Sequence, residues 1–213
     1  MRRYIDILLK AILTGFAIGI GGIVNLSCDN RYMGAFLFGT GLFVILTFGF
    51  MLFTGKVGYA VENKPKYLVD LLVIWVGNFI GTFLTGVMIR FTRAGAAIAE
   101  KAAALCETKL ADSIPSLLIL SFFCGMLMFI AADGYKTFNN PVAQMLAVFL
   151  PVMVFILSGF EHCVANMFYF SVAGMLDLTS LLYIVIMSVG NAVGGIFIPL
   201  FRKGFAGEKS DKQ

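Results

Sequence analysis

Three observations predict an all-α membrane protein of six transmembrane helices arranged as a 3+3 inverted repeat. Of 213 residues, 60% are hydrophobic and only 13% are charged, against about 25% charged in an ordinary soluble domain. The apolar residues gather into runs of about 20, the length that a hydrocarbon core of ~30 Å requires of a helix, and short polar stretches separate them. A motif also recurs: Val76-Gly77-Asn78-x-x-Gly81 returns as Val189-Gly190-Asn191-x-x-Gly194.

The first span covers residues 7–26. It follows Arg2, Arg3 and Asp6 and so mimics a signal peptide, but the run is long and no small-x-small cleavage site precedes a soluble region. Its Gly19, Gly21 and Gly22 suit close helix packing, not a phosphate cradle. The second span, 33–53, runs into Leu52-Phe53-Thr54-Gly55-Lys56, and the third, 67–89, carries the first Gly-Asn motif. Residues 94–110 are rich in alanine, glutamate and lysine, which favours a helix too polar to span, expected at an interface or surface. The fourth span is 114–132. The fifth, 141–160, runs into Ser158-Gly159-Phe160-Glu161-His162, and the sixth, 178–201, carries the second Gly-Asn motif. Each half thus has a broken span followed by a Gly-Asn span. Three spans per half force opposite insertion of the two copies, and such repeats place a solute site where discontinuous helices meet. The expected organisation is a single transmembrane domain over 1–213, with half-repeats 1–93 and 110–205 joined by the polar helix 94–109.

Loop charge sets the orientation. Arg2, Arg3, Lys10, Lys56, Lys64, Lys66, Lys136, Arg202, Lys203, Lys209 and Lys212 fall on the side of both termini, and only Arg31, Arg90, Arg93, Lys101 and Lys109 on the other. The positive-inside rule then puts both termini in the cytoplasm of a multi-pass inner or plasma membrane protein. The third loop holds four of the five outer charges, which suits either attraction of anions or contact with lipid headgroups. The net charge of +4 resides in loops without a basic patch interleaved with aromatics, so nucleic acid is not an expected partner. Cys28, Cys106, Cys124 and Cys163 match no zinc spacing, and two of them lie inside apolar runs as packing thiols. Cys28 and Cys106 fall in loops on one side, which leaves a disulfide between them open. One histidine with few intramembrane carboxylates cannot assemble a zinc or di-iron site, and no Walker loop, GxGxxG, CxxCH or Ser-His-Asp grouping is present. No metal or cofactor is expected, and no enzyme.

His162 is the only histidine. With Glu161 it interrupts apolar sequence from Val148 to Tyr169, and ionisable groups at membrane depth face a cavity, a partner or a water path. Gly159 gives the backbone freedom to break the helix, and Asn166 is placed to bond the freed backbone groups. His162 reads either as a group facing a path or as a packed, hydrogen-bonded interhelical histidine. Glu161, pointing elsewhere on the helix, reads as an acceptor for backbone or Lys/Arg donors.

The stretch Gly159-Phe160-Glu161-His162-Cys163-Val164-Ala165-Asn166-Met167-Phe168 resembles the GFEHSxANMF signature of the formate/nitrite transporter family, with Cys163 where serine is usual. Phe53-Thr54-Gly55 resembles the threonine-bearing loop that interrupts the family's second span. Trp75-x-Gly77-Asn78-x-x-Gly81 resembles its third-span motif. These run in family order over nearly the whole chain, which is identified as a compact member. The resemblance implies an aquaporin-like protomer in a homopentamer, embedded in the lipid bilayer, each subunit with its own pore for a small monovalent anion such as formate, nitrite or hydrosulfide. By family position His162 is the central pore histidine and Thr54 the loop threonine facing it. Phe38, Leu42 and Phe155 form the outer constriction; Leu52, Phe53 and Met128 surround the inner one; Lys109 is the basic residue of the outer vestibule. Spacing alone reads the same apolar residues as lipid-facing or core. One departure is Cys124-Gly125-Met126-Leu127-Met128, where the family carries Cys-Asn before Leu-Val, and Leu120-Ser121-Phe122-Phe123 lacks the usual basic residue. Losing that asparagine removes an amide donor and acceptor near the inner gate. The mechanism implied is concentration of anions by Lys109, selection by the apolar rings, and stabilisation or protonation of the anion by His162. The rival readings are a proton-coupled transporter of another small monocarboxylate and a membrane-embedded redox subunit.

Overall fold

The computed structural model describes the backbone of residues 2–210 and the side chains of residues 2–203. Of the C-terminal basic set, Lys212 and the side chain of Lys209 lie outside the described residues. The described elements are all helical: α1 (Arg2–Ser27), α2 (Arg31–Thr47), α3 (Phe53–Lys56) with a 3₁₀ turn (Val57–Glu62), α4 (Tyr67–Arg90), α5 (Gly95–Leu110), α6 (Ile114–Thr137), α7 (Pro141–Leu157), α8 (Cys163–Ala173) and α9 (Leu178–Ser210). Four helices are long and apolar enough to cross a membrane: α1, α4, α6 and α9 as far as Lys203. The runs read as second and fifth spans are helical over only 17 residues each, in α2 and α7.

Several elements correspond along the chain: α1 with α6, α2 with α7 and α4 with α9. Both short helices start on an asparagine cap: Asn30 Oδ1 accepts the Tyr32 and Met33 amides at 2.9 and 3.0 Å, and Asn140 Oδ1 those of Val142 and Ala143 at 2.9 and 3.1 Å. Pro141 at the first position of α7 costs nothing, because that amide has no helical partner. α1 lies on α4, and α6 on α9. At both crossings glycines bring the backbones together. A Cβ on Gly81 would stand 2.1 Å from the Ile12 carbonyl oxygen, and one on Gly194 would stand 1.9 Å from that of Phe122. Without a water-driven force in lipid, such close approach is what holds helices together.

Gly125 belongs to the same crossing. Its Cβ would lie 2.1 Å from the Asn191 carbonyl oxygen, as that of its counterpart Gly15 would lie 2.6 Å from Asn78's. Position 125, where an asparagine amide is missing, meets backbone and has room for no side chain in this packing.

At the centre sits α8, with every residue from Cys163 to Val172 buried. The polar segment does form a helix, α5. Its Gly95, Ile98, Ala102 and Cys106 recur at helical spacing and are buried, and α5 packs on α8. The open disulfide is not formed, since all four cysteines are free thiols. Outward, α4 exposes Leu68, Leu72, Val76 and Phe83, and α9 exposes Val185, Val189 and Val193, faces suited to an apolar surrounding.

The crossings make a prediction. Gly81→Ala and Gly194→Ala each force two backbones apart and are expected to cost about 1–3 kcal/mol, read as a fall in the unfolding midpoint of detergent-purified protein. Gly49→Ala, with nothing within 4 Å of the added carbon, is expected to act only through backbone strain, about 1 kcal/mol.

Candidate functional site

The chain breaks twice near its centre, between Thr47 and Phe53 and between Leu157 and Cys163. Each break opens with a glycine in the left-handed region, Gly49 at φ +66° and Gly159 at φ +68°, which a side chain would oppose. The next amide folds back onto the finished helix: Phe50 N–H donates to Ile45 O at 2.8 Å and Phe160 N–H to Phe155 O at 2.9 Å. Beyond that the backbone has no helical partner, and a buried unpaired peptide group is costly. One carboxamide per half meets the need. Asn78 Nδ2 donates to Met51 O at 2.8 Å and to Ala11 O at 2.9 Å, while its Oδ1 accepts the Phe53 amide at 2.9 Å. Asn191 repeats this on Glu161 O and Ser121 O, both at 2.7 Å, and on the Cys163 amide at 2.8 Å. The expected role of Asn166 is thereby corrected. Its amide donates to Glu161 Oε2 at 2.7 Å and Met187 Sδ at 3.1 Å, and Asn191 holds the freed backbone. The recurring Gly-Asn motif carried that signal, although the sequence reading gave its asparagines no task.

The second break delivers His162. It is the N-cap of α8, and its Nδ1 accepts the Ala165 amide at 3.0 Å. A ring nitrogen that accepts cannot carry a proton, so the geometry assigns the neutral ring's proton to Nε2. Nε2 lies 2.8 Å from Thr54 Oγ1, which comes from the other half of the chain. The threonine hydroxyl accepts from Nε2 and keeps its own proton for another acceptor. Both residues are buried.

Two cavities approach this pair from opposite ends. One, of about 730 Å³, is lined by residues including Arg31, Lys109, Leu120, Phe155, Phe160 and Glu161. The other, of about 610 Å³, is lined by residues including Leu52, Gly55, Lys56, Tyr59 and Lys136. The buried Phe155 faces the first and the buried Leu52 the second. The Phe155 ring lies over the His162 ring at 5.5 Å, and Phe38 stands edge-on to the Phe155 ring at 5.7 Å. Leu42 and Met128 are buried in the core, and Phe53 packs against it; none of the three lines either cavity.

Lys109 is not a free cation. Its ammonium donates to both oxygens of Glu161, at 2.8 and 2.7 Å, with the side chains 14% and 7% exposed. Glu161 is the lysine acceptor that the sequence suggested, and the pair is neutral. Arg31, which lines the same cavity, donates to the Leu157 carbonyl at 2.6 Å and makes no ion pair among the described residues. Among the described residues no three His, Cys, Asp or Glu are grouped to hold a metal ion.

The ion pair is testable. Lys109→Met strands a buried carboxylate and is expected to cost about 3 kcal/mol, and adding Glu161→Gln is expected to recover most of it. Unfolding of the detergent-purified single and double variants reads the coupling, and additive losses would show there is none.

The sequence profile for the formate/nitrite transporter matches residues 1–202. The formate channel BtFdhC of Bacillus thuringiensis is 30% identical, the match covering 88% of this chain and 82% of that one. The formate channel FocB of Escherichia coli is 25% identical over 78% of this chain and 66% of its own. Among solved structures, a pentameric formate channel with formate bound has the same fold, with a TM-score of 0.80 at 21% identity over 96% of this chain and 98% of that chain. With a family match over nearly its full length and several helices fit to cross a membrane, this chain belongs to the formate/nitrite transporter family of multi-pass membrane proteins.

Proposed function

We propose that the chain is a channel for small monovalent anions of weak acids, formate, nitrite or hydrosulfide, passing between the two cavities at His162 and Thr54. The observation that carries this reading is the His162–Thr54 contact, 2.8 Å long and buried between Phe155 on one cavity wall and Leu52 on the other. In this reading the chain makes six crossings. Four are single helices; the other two are α2 with α3 and α7 with α8, each pair broken at its glycine. Residues 1–213 act as one domain of two inverted halves joined by α5. Both termini lie in the cytoplasm of the cell membrane, so the Lys109 cavity opens outward and the Lys56 cavity inward. Five copies assemble, as in the pentameric formate channel of similar fold, and in this reading each has its own path.

The physics is that of desolvation. A small anion entering a passage walled by Phe38, Leu42 and Phe155 loses its water at a cost of several kcal/mol. The Nε2–H and the Thr54 hydroxyl offer fixed donors that return part of it. The Ala165 amide holds Nδ1, so the ring serves the path through Nε2 alone. A neutral ring cannot give up that proton to a weak-acid anion without becoming an imidazolate, so His162 stabilises the anion by hydrogen bonding and does not protonate it. Leu52, Phe53 and Met128 narrow the passage on the cytoplasmic side, while Gly159, Glu161 and Asn166 hold the ring in place.

Proteoliposomes containing the purified protein are expected to pass formate, nitrite or hydrosulfide faster than empty vesicles. His162→Asn keeps an N-cap acceptor but not the ring, and is expected to cut flux about tenfold, the loss of one hydrogen bond to a charged group. His162→Ala loses the cap as well and is expected to cost a further ~1 kcal/mol of stability. Full flux in His162→Asn, with wild-type pH dependence, excludes the assigned role. A wild-type protein inert to all three anions refutes the channel.

A further inference from the structure

The two cavities differ in how their lysines are compensated. At one end Lys109 is saturated by Glu161. At the other, Lys56 follows Thr54 by two residues, is half-buried, and lines the 610 Å³ cavity beside Leu52 and Gly55. Among the described residues no carboxylate lies within ion-pair reach of Lys56 or of Lys136, which lines the same cavity. The Lys136 ammonium sits 5.1 Å above the Tyr59 ring. Asp133, one turn from Lys136, is taken by Arg202 at 2.6 Å and by the Tyr59 hydroxyl at 3.3 Å. Glu62 is the acidic residue on the cavity wall, and it is exposed. The phenols of Tyr59, Tyr67 and Tyr135 and the carboxamides of Asn63 and Gln144 complete the polar lining, and the Tyr67 hydroxyl donates to the Lys56 carbonyl at 3.0 Å, tying down the backbone that carries the lysine.

We infer that Lys56, with Lys136 across the cavity, forms an anion-capture site directly below Leu52, which holds a small monovalent carboxylate such as formate before it enters the passage. A half-buried ammonium in a water-filled recess attracts an anion more strongly than it would in bulk water, and salt screens it less than an exposed lysine. The site lies on the approach to Thr54, so an anion bound there stands next in line for the His162–Thr54 donors. This rests on the channel reading above and adds to it an entry site on the cytoplasmic side.

Membrane vesicles of defined sidedness, from a host lacking formate channels of its own, test the site with labelled formate. Uptake into inverted vesicles begins at the Lys56 cavity, and uptake into right-side-out vesicles begins at the Lys109 cavity. With protein amounts matched, Lys56→Gln is expected to raise the half-saturating formate concentration about fivefold in inverted vesicles. In right-side-out vesicles the change is expected to stay within about twofold. Lys136→Gln should shift the value the same way by less, Lys56→Arg should keep it near wild type, and the exposed Lys64→Gln should leave both vesicle types unchanged. A half-saturation that does not move in Lys56→Gln, or moves equally from both sides, overturns the capture site and leaves the channel standing. Wild-type vesicles that take up no formate overturn both.

Discussion

A helix interrupted inside a protein core leaves peptide groups that nothing nearby in sequence can satisfy, and two buried carboxamides meet that demand here. Asn78 and Asn191 each reach three backbone atoms on two other segments, one of them the break itself. The reach depends on the glycine beside each asparagine. A Cβ on Gly77 or Gly190 would lie 2.5 Å from the side chain of Ala11 or Ser121, so bulk there would push the long helices apart and draw the amide out of range. The close glycine crossings and the broken helices are thus one construction. The first lets the asparagines bridge, and the bridge makes the breaks affordable in free energy.

From the breaks follows the site. Because the chain restarts as a helix at Cys163, the residue before it occupies the capping position, and that residue is His162. Capping fixes the ring by one nitrogen and frees the other, which meets a threonine delivered by the opposite half. The centre therefore carries fixed donors and no standing charge pair. The lysines lie away from the His162–Thr54 pair, one neutralised by Glu161 at one cavity and two at the other without an ion pair among the described residues. An uncharged, donor-bearing centre suits a solute that has to leave as readily as it arrives.

Much of this was legible in the sequence, and the reasons are physical. Hydropathy marked the long helices because lipid leaves an apolar run of that length few alternatives. The glycine before Phe160 and the lone histidine marked the second break, and the family resemblance paired His162 with Thr54 before any distance was known. Less visible were contacts made across the chain. Asn166 sits beside the histidine in sequence and looked like the brace, but the brace came from Asn191 on another helix. Gly125 read as an asparagine lost from a gate, and only the helix crossing shows it pressed on backbone. Lys109 and Glu161 were read singly, though their meaning lies in neutralising each other. Spacing along one helix reports what shares a face; it does not report which distant group that face meets.

The most direct test of the account concerns the state of one ring. Because the chain has a single histidine, ¹⁵N-histidine labelling of the reconstituted protein gives one imidazole spectrum with no assignment problem. At neutral pH the account predicts a neutral ring with Nε2 protonated and Nδ1 bare, its shift displaced by the hydrogen bond from the Ala165 amide. A ring protonated at Nδ1, whether as the other tautomer or as imidazolium, would contradict it, since that nitrogen could not then accept the Ala165 amide and cap α8.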